Sequence, residues 1–138
     1  VCDVLVNLAT TVQARFVKRI CTTDNICWEN PLPSGFQLTS IWGRSKTDAW
    51  AVGQGGNILH YDGTAWTATA SGITQNLNAV FGFAANDVWA VGNGGTVIRW
   101  NGTSWSSVTS GTTSNLRGIW GAASNNLFVV GQGSTLRK

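Results

Sequence analysis

The sequence predicts an all-β chain of repeated four-stranded antiparallel units, and three observations lead to it. Sliding the sequence against itself by 39 residues aligns Leu38, Leu77 and Leu116, then Gly43, Gly82 and Gly121, then Gly53, Gly92 and Gly131, with no gap. Aromatic residues keep the same phase: Trp42, Phe81 and Trp120; Trp50, Trp89 and Phe128; Tyr61 and Trp100; Trp66 and Trp105. Glycine at 17 and tryptophan at 8, with 2 prolines and no methionine, favour short strands and tight turns over helices. A period near 40 residues with four strands per period is the pattern of a β-propeller blade, a sheet whose two faces both pack on neighbouring blades.

Residues 1–37 do not match the repeat and read as an N-terminal extension or cap. Within it, residues 4–8 suit a strand, whereas residues 12–20 suit a strand or a short helix equally, with Arg15, Lys18 and Arg19 on one side. "CTTDNICWENPLPSG" is a loop by composition, and Pro31 and Pro33 keep its end extended before the first repeat. Trp28 has no counterpart in the repeats and reads as a contact for the cap or for a partner.

The first unit, 38–76, contains "LTSIWG", "DAWAVG", "NILHYDG" and "AWTATAS", each of strand length and each bounded by turn residues. Apolar residues fall on both alternation phases of "WAVG" and "NILHY", as expected of a sheet covered on both faces. The second unit is 77–115. The third, 116–138, reaches Lys138 where its third strand starts. Two complete blades and part of a third do not close a ring of typically four to eight. The expectation is therefore a piece of a longer chain or, less favoured, copies that assemble. Val1 is not an initiator methionine, and no signal peptide is visible in the first 20 residues.

Composition removes several function classes. With 43% hydrophobic and 11% charged residues the chain can bury a core, and no apolar run is long enough to span a membrane. A formal charge of +3, with three of nine basic residues in one stretch outside the repeats, is a thin basis for binding nucleic acid.

The three cysteines, Cys2, Cys21 and Cys27, lie in the extension. Cys21 and Cys27 enclose a short polar loop that suits a disulfide in a secreted protein, with Cys2 left over or paired to another chain; unpaired thiols are the alternative. A metal site would need further ligands, and the one histidine, His60, has Arg99 as its repeat counterpart. That equivalence makes His60 a partly exposed strand residue and not a catalytic base. Asp48 and Asp87 become Asn126, and Asp62 becomes Asn101, so these acids are expected to do what asparagine also does, bonding backbone N–H groups in Asx-turns or tolerating the left-handed conformation. A glycosidase needs a unique pair of carboxylates facing one cavity, which repetition argues against.

"GQGG", "GNGG" and "GQGS" are followed by strands, so their glycines serve hairpins and not a phosphate loop. They place one amide per blade, Gln54, Asn93 and Gln132, on a rim shared with "SGITQN" and "SGTTSN". With adjacent Ser and Thr, these three are the candidate ligand-binding residues for a sugar or a peptide. "NGT" at Asn101 fits a glycosylation sequon, but its counterpart "DGT" makes it a turn.

The residues "IWG…DAWAVGQGGNILHYDGTAW" resemble the blades of bacterial secreted propellers of the BNR or Asp-box type and the related photosystem II assembly-factor propellers. The resemblance runs from Leu38 to Lys138 and implies the propeller fold. The Asp-box pattern is Ser-x-Asp-x-Gly-x-x-Trp, whereas Asp62 directly precedes Gly63, Trp66 follows four residues after Asp62, and the serine is missing. The expected function is a non-catalytic, extracellular or cell-surface propeller for protein recognition or assembly. Its partner is a protein or further copies of the chain. The alternatives are a glycan-binding propeller and part of a glycoside-processing enzyme whose active site lies in other blades. No cofactor or metal is expected.

Overall fold

The computed structural model describes residues 20–21, 27–28 and 36–138. The chain divides into two compact units, Val1–Leu32 and Pro33–Lys138. In the first, the described residues are two short antiparallel strands, β1 (Ile20–Cys21) and β2 (Cys27–Trp28), with Cys21 directly opposite Cys27. The segment 21–35, expected from composition to be a loop, therefore contains a strand at Cys27–Trp28. The expected strand at 4–8, the ambiguous segment at 12–19 and Cys2 lie outside the described residues.

The second unit contains three sheets in sequence order. β3 (Leu38–Ser45), β4 (Asp48–Gly53), β5 (Ile58–Tyr61) and β6 (Trp66–Thr69) form the first, an antiparallel meander. β7 (Leu77–Ala84), β8 (Asp87–Gly92), β9 (Val97–Trp100) and β10 (Trp105–Ser107) repeat it strand for strand. β11 (Leu116–Ala123), β12 (Asn126–Gly131) and β13 (Ser134–Arg137) form the third. These are propeller blades in an incomplete ring. No helix among the described residues is long and apolar enough to cross a membrane.

Each blade alternates its apolar side chains between two neighbours, because successive residues of a strand point to opposite faces. Val88, Ala90 and Ile98 join Trp50, Val52 and Ile58 of the first blade in one core. Trp89, Val91 and Val97, one residue out of phase with them, join Leu116, Leu127 and Val129 of the third blade in another. All of these are buried, and each large side chain so covered contributes about 1.5–3 kcal/mol. The first strand of each following blade forms the seam: β7 lies against β3 and β4, and β11 against β7 and β8. Thr39 Oγ1 donates to Leu77 O at 2.6 Å, and Asn78 Nδ2 donates to Leu116 O at 2.7 Å, so one donor per blade crosses to the next at the same point.

The third blade departs from the gapless alignment. In the first two blades β4 and β8 lead into a short 3-10 turn, Gln54–Gly56 and Asn93–Gly95, and Ala51 pairs with Leu59 as Ala90 pairs with Ile98. In the third, Gly131 pairs with Ser134 around a two-residue turn, so Val129 meets Leu136 and Phe128 meets Arg137. Leu136 thus takes the place of Ile98, and Arg137 that of Arg99. The cause is at the second glycine: Gly56 and Gly95 have φ of 71° and 72°, a conformation that serine disfavours, and Ser134 stands there in the third repeat.

Gly95 also has no room for a side chain, since a Cβ would collide with Thr112 O of the inter-blade loop, whereas Gly94, at φ 64°, has nothing within 4 Å. Gly94→Ala should cost about 1–2 kcal/mol for the left-handed backbone alone. Gly95→Ala should cost more than that in urea unfolding, and equal losses would contradict the packing of this turn.

Candidate functional site

The rim of the blades carries the residues that the sequence singles out. Each turn between second and third strands is tied to the segment entering the next blade: Gly55 N donates to Asn76 Oδ1 and Gly94 N to Asn115 Oδ1, both at 2.9 Å. Gly95 N donates to Ser114 O at 2.8 Å. The turns and the inter-blade loops therefore do share one rim.

Gln54, Asn93 and Gln132 all lie on it, but their amides are engaged with neighbours. Gln54 Nε2 donates to Gln37 Oε1 at 2.9 Å, Asn93 Oδ1 accepts from Asn78 Nδ2 at 2.9 Å, and Gln132 Oε1 accepts from Asn115 Nδ2 at 3.4 Å. Their backbone N–H groups extend the strand ladders, to Gln37 O, Asn76 O and Asn115 O respectively. What the rim leaves open is a pair of grooves outside these amides. One, of about 700 Å³, runs between Gly95 and the loop containing Thr109, Ser110 and Thr113; the other, of about 470 Å³, lies between Gly55 and the loop containing Ser71 and Thr74. Ser71 and Ser110 fold their loops alike, each accepting the N–H two residues on. Sequence reasoning placed the amides beside "SGITQN" and "SGTTSN", and it is those segments, not the amides, that line the grooves.

A second polar cluster sits at the other end of the strands. Asp48, 8% exposed, bonds Arg44 Nε at 2.8 Å and His60 Nε2 at 2.9 Å, and the His60 ring stacks on Trp50 at 4.1 Å. Asp87 repeats the arrangement, accepting from Arg99 Nε at 2.7 Å and Trp89 Nε1 at 3.0 Å, with Arg99 over the Trp89 ring. In the third blade Arg137 lies over Phe128. The Asx-turn expectation for Asp48 and Asp87 is thus corrected: these carboxylates face a nitrogen-bearing side chain of the third strand, His60 or Arg99, because the strand register places the two side by side. Burial pushes the Asp48 carboxyl up, but hydrogen bonds from His60 and Arg44, together with Arg44's charge, outweigh it and hold it below the usual carboxylate range. Asn126 has no such pair, and its buried Oδ1 has no partner. His60 stacks on the Trp50 ring as Arg99 lies over Trp89.

Asp62 and Asn101 do form Asx-turns. Asp62 Oδ1 accepts from Thr64 N and Ala65 N at 2.8 and 2.9 Å, and Asn101 Oδ1 accepts from Thr103 N and Ser104 N, both at 2.9 Å. No group of three His, Cys, Asp or Glu side chains that could hold a metal occurs among the described residues.

No family model matches the sequence, and no curated protein does. Solved structures do. YCF48 from Cyanidioschyzon merolae superposes with a TM-score of 0.64 at 19% identity, covering 79% of this chain and 39% of that one. YCF48 bound to D1 peptide superposes with a TM-score of 0.67 at 18% identity, covering 80% and 40%. The likeness shows the propeller fold, in a chain spanning about two-fifths of the length of those structures.

The side-chain hydrogen bond from Thr64, with the N–H groups of Ala65 and Thr64, lowers the Asp62 carboxyl to about 2. A depressed carboxyl stabilises the fold above its unfolded value of 3.8 and loses that contribution as pH falls towards 2. Asp62→Ala should therefore lower the urea midpoint at neutral pH, the deficit should shrink between about pH 4 and 2, and Asp62→Asn, which keeps the accepting oxygen without the charge, should lie between Asp62→Ala and wild type at neutral pH. A deficit independent of pH would show that the carboxylate is not what holds this turn.

Proposed function

We propose that this chain supplies blades to a non-catalytic propeller that recognises an extended protein segment along its rim. The observation that carries the reading is the open groove repeated at equivalent positions of two blades, walled by hydroxyl and backbone groups together with apolar side chains such as Ile58, Ile73 and Val108. Such mixed walls suit a peptide, which brings a backbone donor and acceptor at nearly every residue and side chains for the apolar parts. A structure of the same fold, YCF48, is known bound to a D1 peptide, which supports the reading by analogy of fold. The carboxylates oppose it nowhere, since Asp48, Asp87 and Asp62 are each engaged with the chain's own groups.

The test is binding to an array of unrelated extended peptides beside a glycan array, repeated with Thr109→Trp and Thr113→Trp. Both positions are exposed walls of the larger groove. Peptide binding weakened about tenfold or more by either bulky side chain is the expected result. Binding to glycans and not to peptides would sink the reading.

We also propose a secreted or cell-surface location, supported by the register of β1 and β2. Directly opposed residues of an antiparallel pair have Cα atoms about 4.5–5.5 Å apart, within the span that disulfides bridge. Nonreducing peptide mapping of the native protein should join Cys21 to Cys27, and free thiols at both would remove the basis for an oxidising compartment.

A further inference from the structure

The two grooves lie beside open sheet edges. β6 and β10 end the order of hydrogen-bonded strands in their sheets, so one side of each has no neighbouring strand. In an antiparallel ladder, directly opposed residues alternate between pairs that exchange hydrogen bonds and pairs that do not, and the second kind turn their N–H and C=O groups to the other side. In the second blade Asn101 N donates to Ser104 O and Val108 N to Val97 O. The pairs between keep that register, with Trp105 opposite Trp100, Ser106 opposite Arg99 and Ser107 opposite Ile98. Ser104, Ser106 and Val108 therefore bond inwards, and Trp105 and Ser107 turn their backbone groups out. In the first blade Asp62 N donates to Ala65 O, and the same count turns out those of Trp66 and Ala68. These outward groups take no hydrogen-bond partner among the described residues.

Shortness is the one guard these edges have. Lysine, proline, an inward charge or a bulge usually keeps a foreign strand from an edge. β6 reads "WTAT" and β10 "WSS", and neither shows a register shift against its neighbour. Each edge then runs into its groove: Ser107, Val108 and Thr109 line the larger one, and Ala68, Thr69 and Ala70 the smaller. No residue lining either groove is charged. Ala68, Ala70, Ser107 and Thr109 are all exposed.

We infer that the extended segment of the proposed function binds by strand addition to the outer edge of a blade, pairing its backbone with Trp105 and Ser107 of β10 or with Trp66 and Ala68 of β6. The inference rests on that reading and adds how the segment is held and which kind is taken. Main-chain bonds to the edge supply affinity without reading sequence, and the groove at the end of the strand reads the side chains. Its walls are apolar at Val108 or Ile73 and otherwise hydroxyl or backbone, so they suit small neutral side chains and leave a charged one without a counter-charge. The occupant is therefore an extended polypeptide free of charged residues along the paired stretch.

The tightest-binding peptide of the array tests it, methylated in turn at each backbone nitrogen, a change that removes one donor and leaves the side chains alone. Strand addition should show a loss of about tenfold or more at every second residue of the paired stretch and little change at those between. On the protein, Ala68→Pro combined with Ser107→Pro removes an outward N–H from each edge and no ladder bond, a place where sheets accept proline. This double variant, checked for folding by circular dichroism, should bind about tenfold or more weakly, whereas Ala68→Ser with Ser107→Ala should bind as wild type. Methylation tolerated throughout, or harmful without the two-residue alternation, would overturn strand addition. If Thr109→Trp or Thr113→Trp still weakened binding in that case, recognition at the rim would stand without it. Self-association of the chain, abolished by the proline pair, would make a second copy the occupant and overturn the inference as well. An array without a binder would end both readings.

Discussion

Coverage of both faces of each sheet is the constraint on which the rest of this structure depends. A single four-stranded sheet of this sequence presents apolar residues on two sides, and neither side tolerates water at that density. Trp50, Val52 and Ile58 are buried because β7 and its neighbours lie on them, and Trp89, Val91 and Val97 because β11 does. The stabilisation is therefore held between blades as much as within them, as in other repeat architectures. The turns follow from the same need: Gly56 and Gly95 bring the rim loops against the next blade, and a side chain at either would push them away.

Polar groups secure this packing at both ends of the strands. Asn76 and Asn115 hold the turn of the preceding blade from the rim, while Asp48 and Asp87 at the opposite end hold His60 or Arg99 of the third strand over a buried tryptophan. The second arrangement tolerates His60 or Arg99 because both offer a flat, donor-bearing group that stacks on an indole. Functional recognition at the rim would therefore rest on groups that the scaffold leaves over, the groove walls beyond the amides.

Much of this was legible in the sequence. The 39-residue period set the blades, the strands and the aromatic slots, since packing between equivalent surfaces demands equivalent residues at equal spacing. Asp62 and Asn101 were readable as turn residues because an Asx-turn is closed within four residues. Asp48 and Asp87 were not, because their partners lie 12 residues away and are chosen by strand register. Gln54, Asn93 and Gln132 were placed on the rim that the turns share with the inter-blade loops, but their engagement with Gln37, Asn78 and Asn115 depends on side-chain contacts that no pattern displays.

The sequence by itself determined the all-β class, the repeat and the paired turns, because these follow from local chemistry and from a period. Only the tertiary structure decided which face of each strand meets which neighbour, and that the third blade shortens its turn and moves Arg137 into the place of Arg99. Those outcomes depend on register and on contacts between distant segments, where one residue of slip exchanges the two faces of a strand.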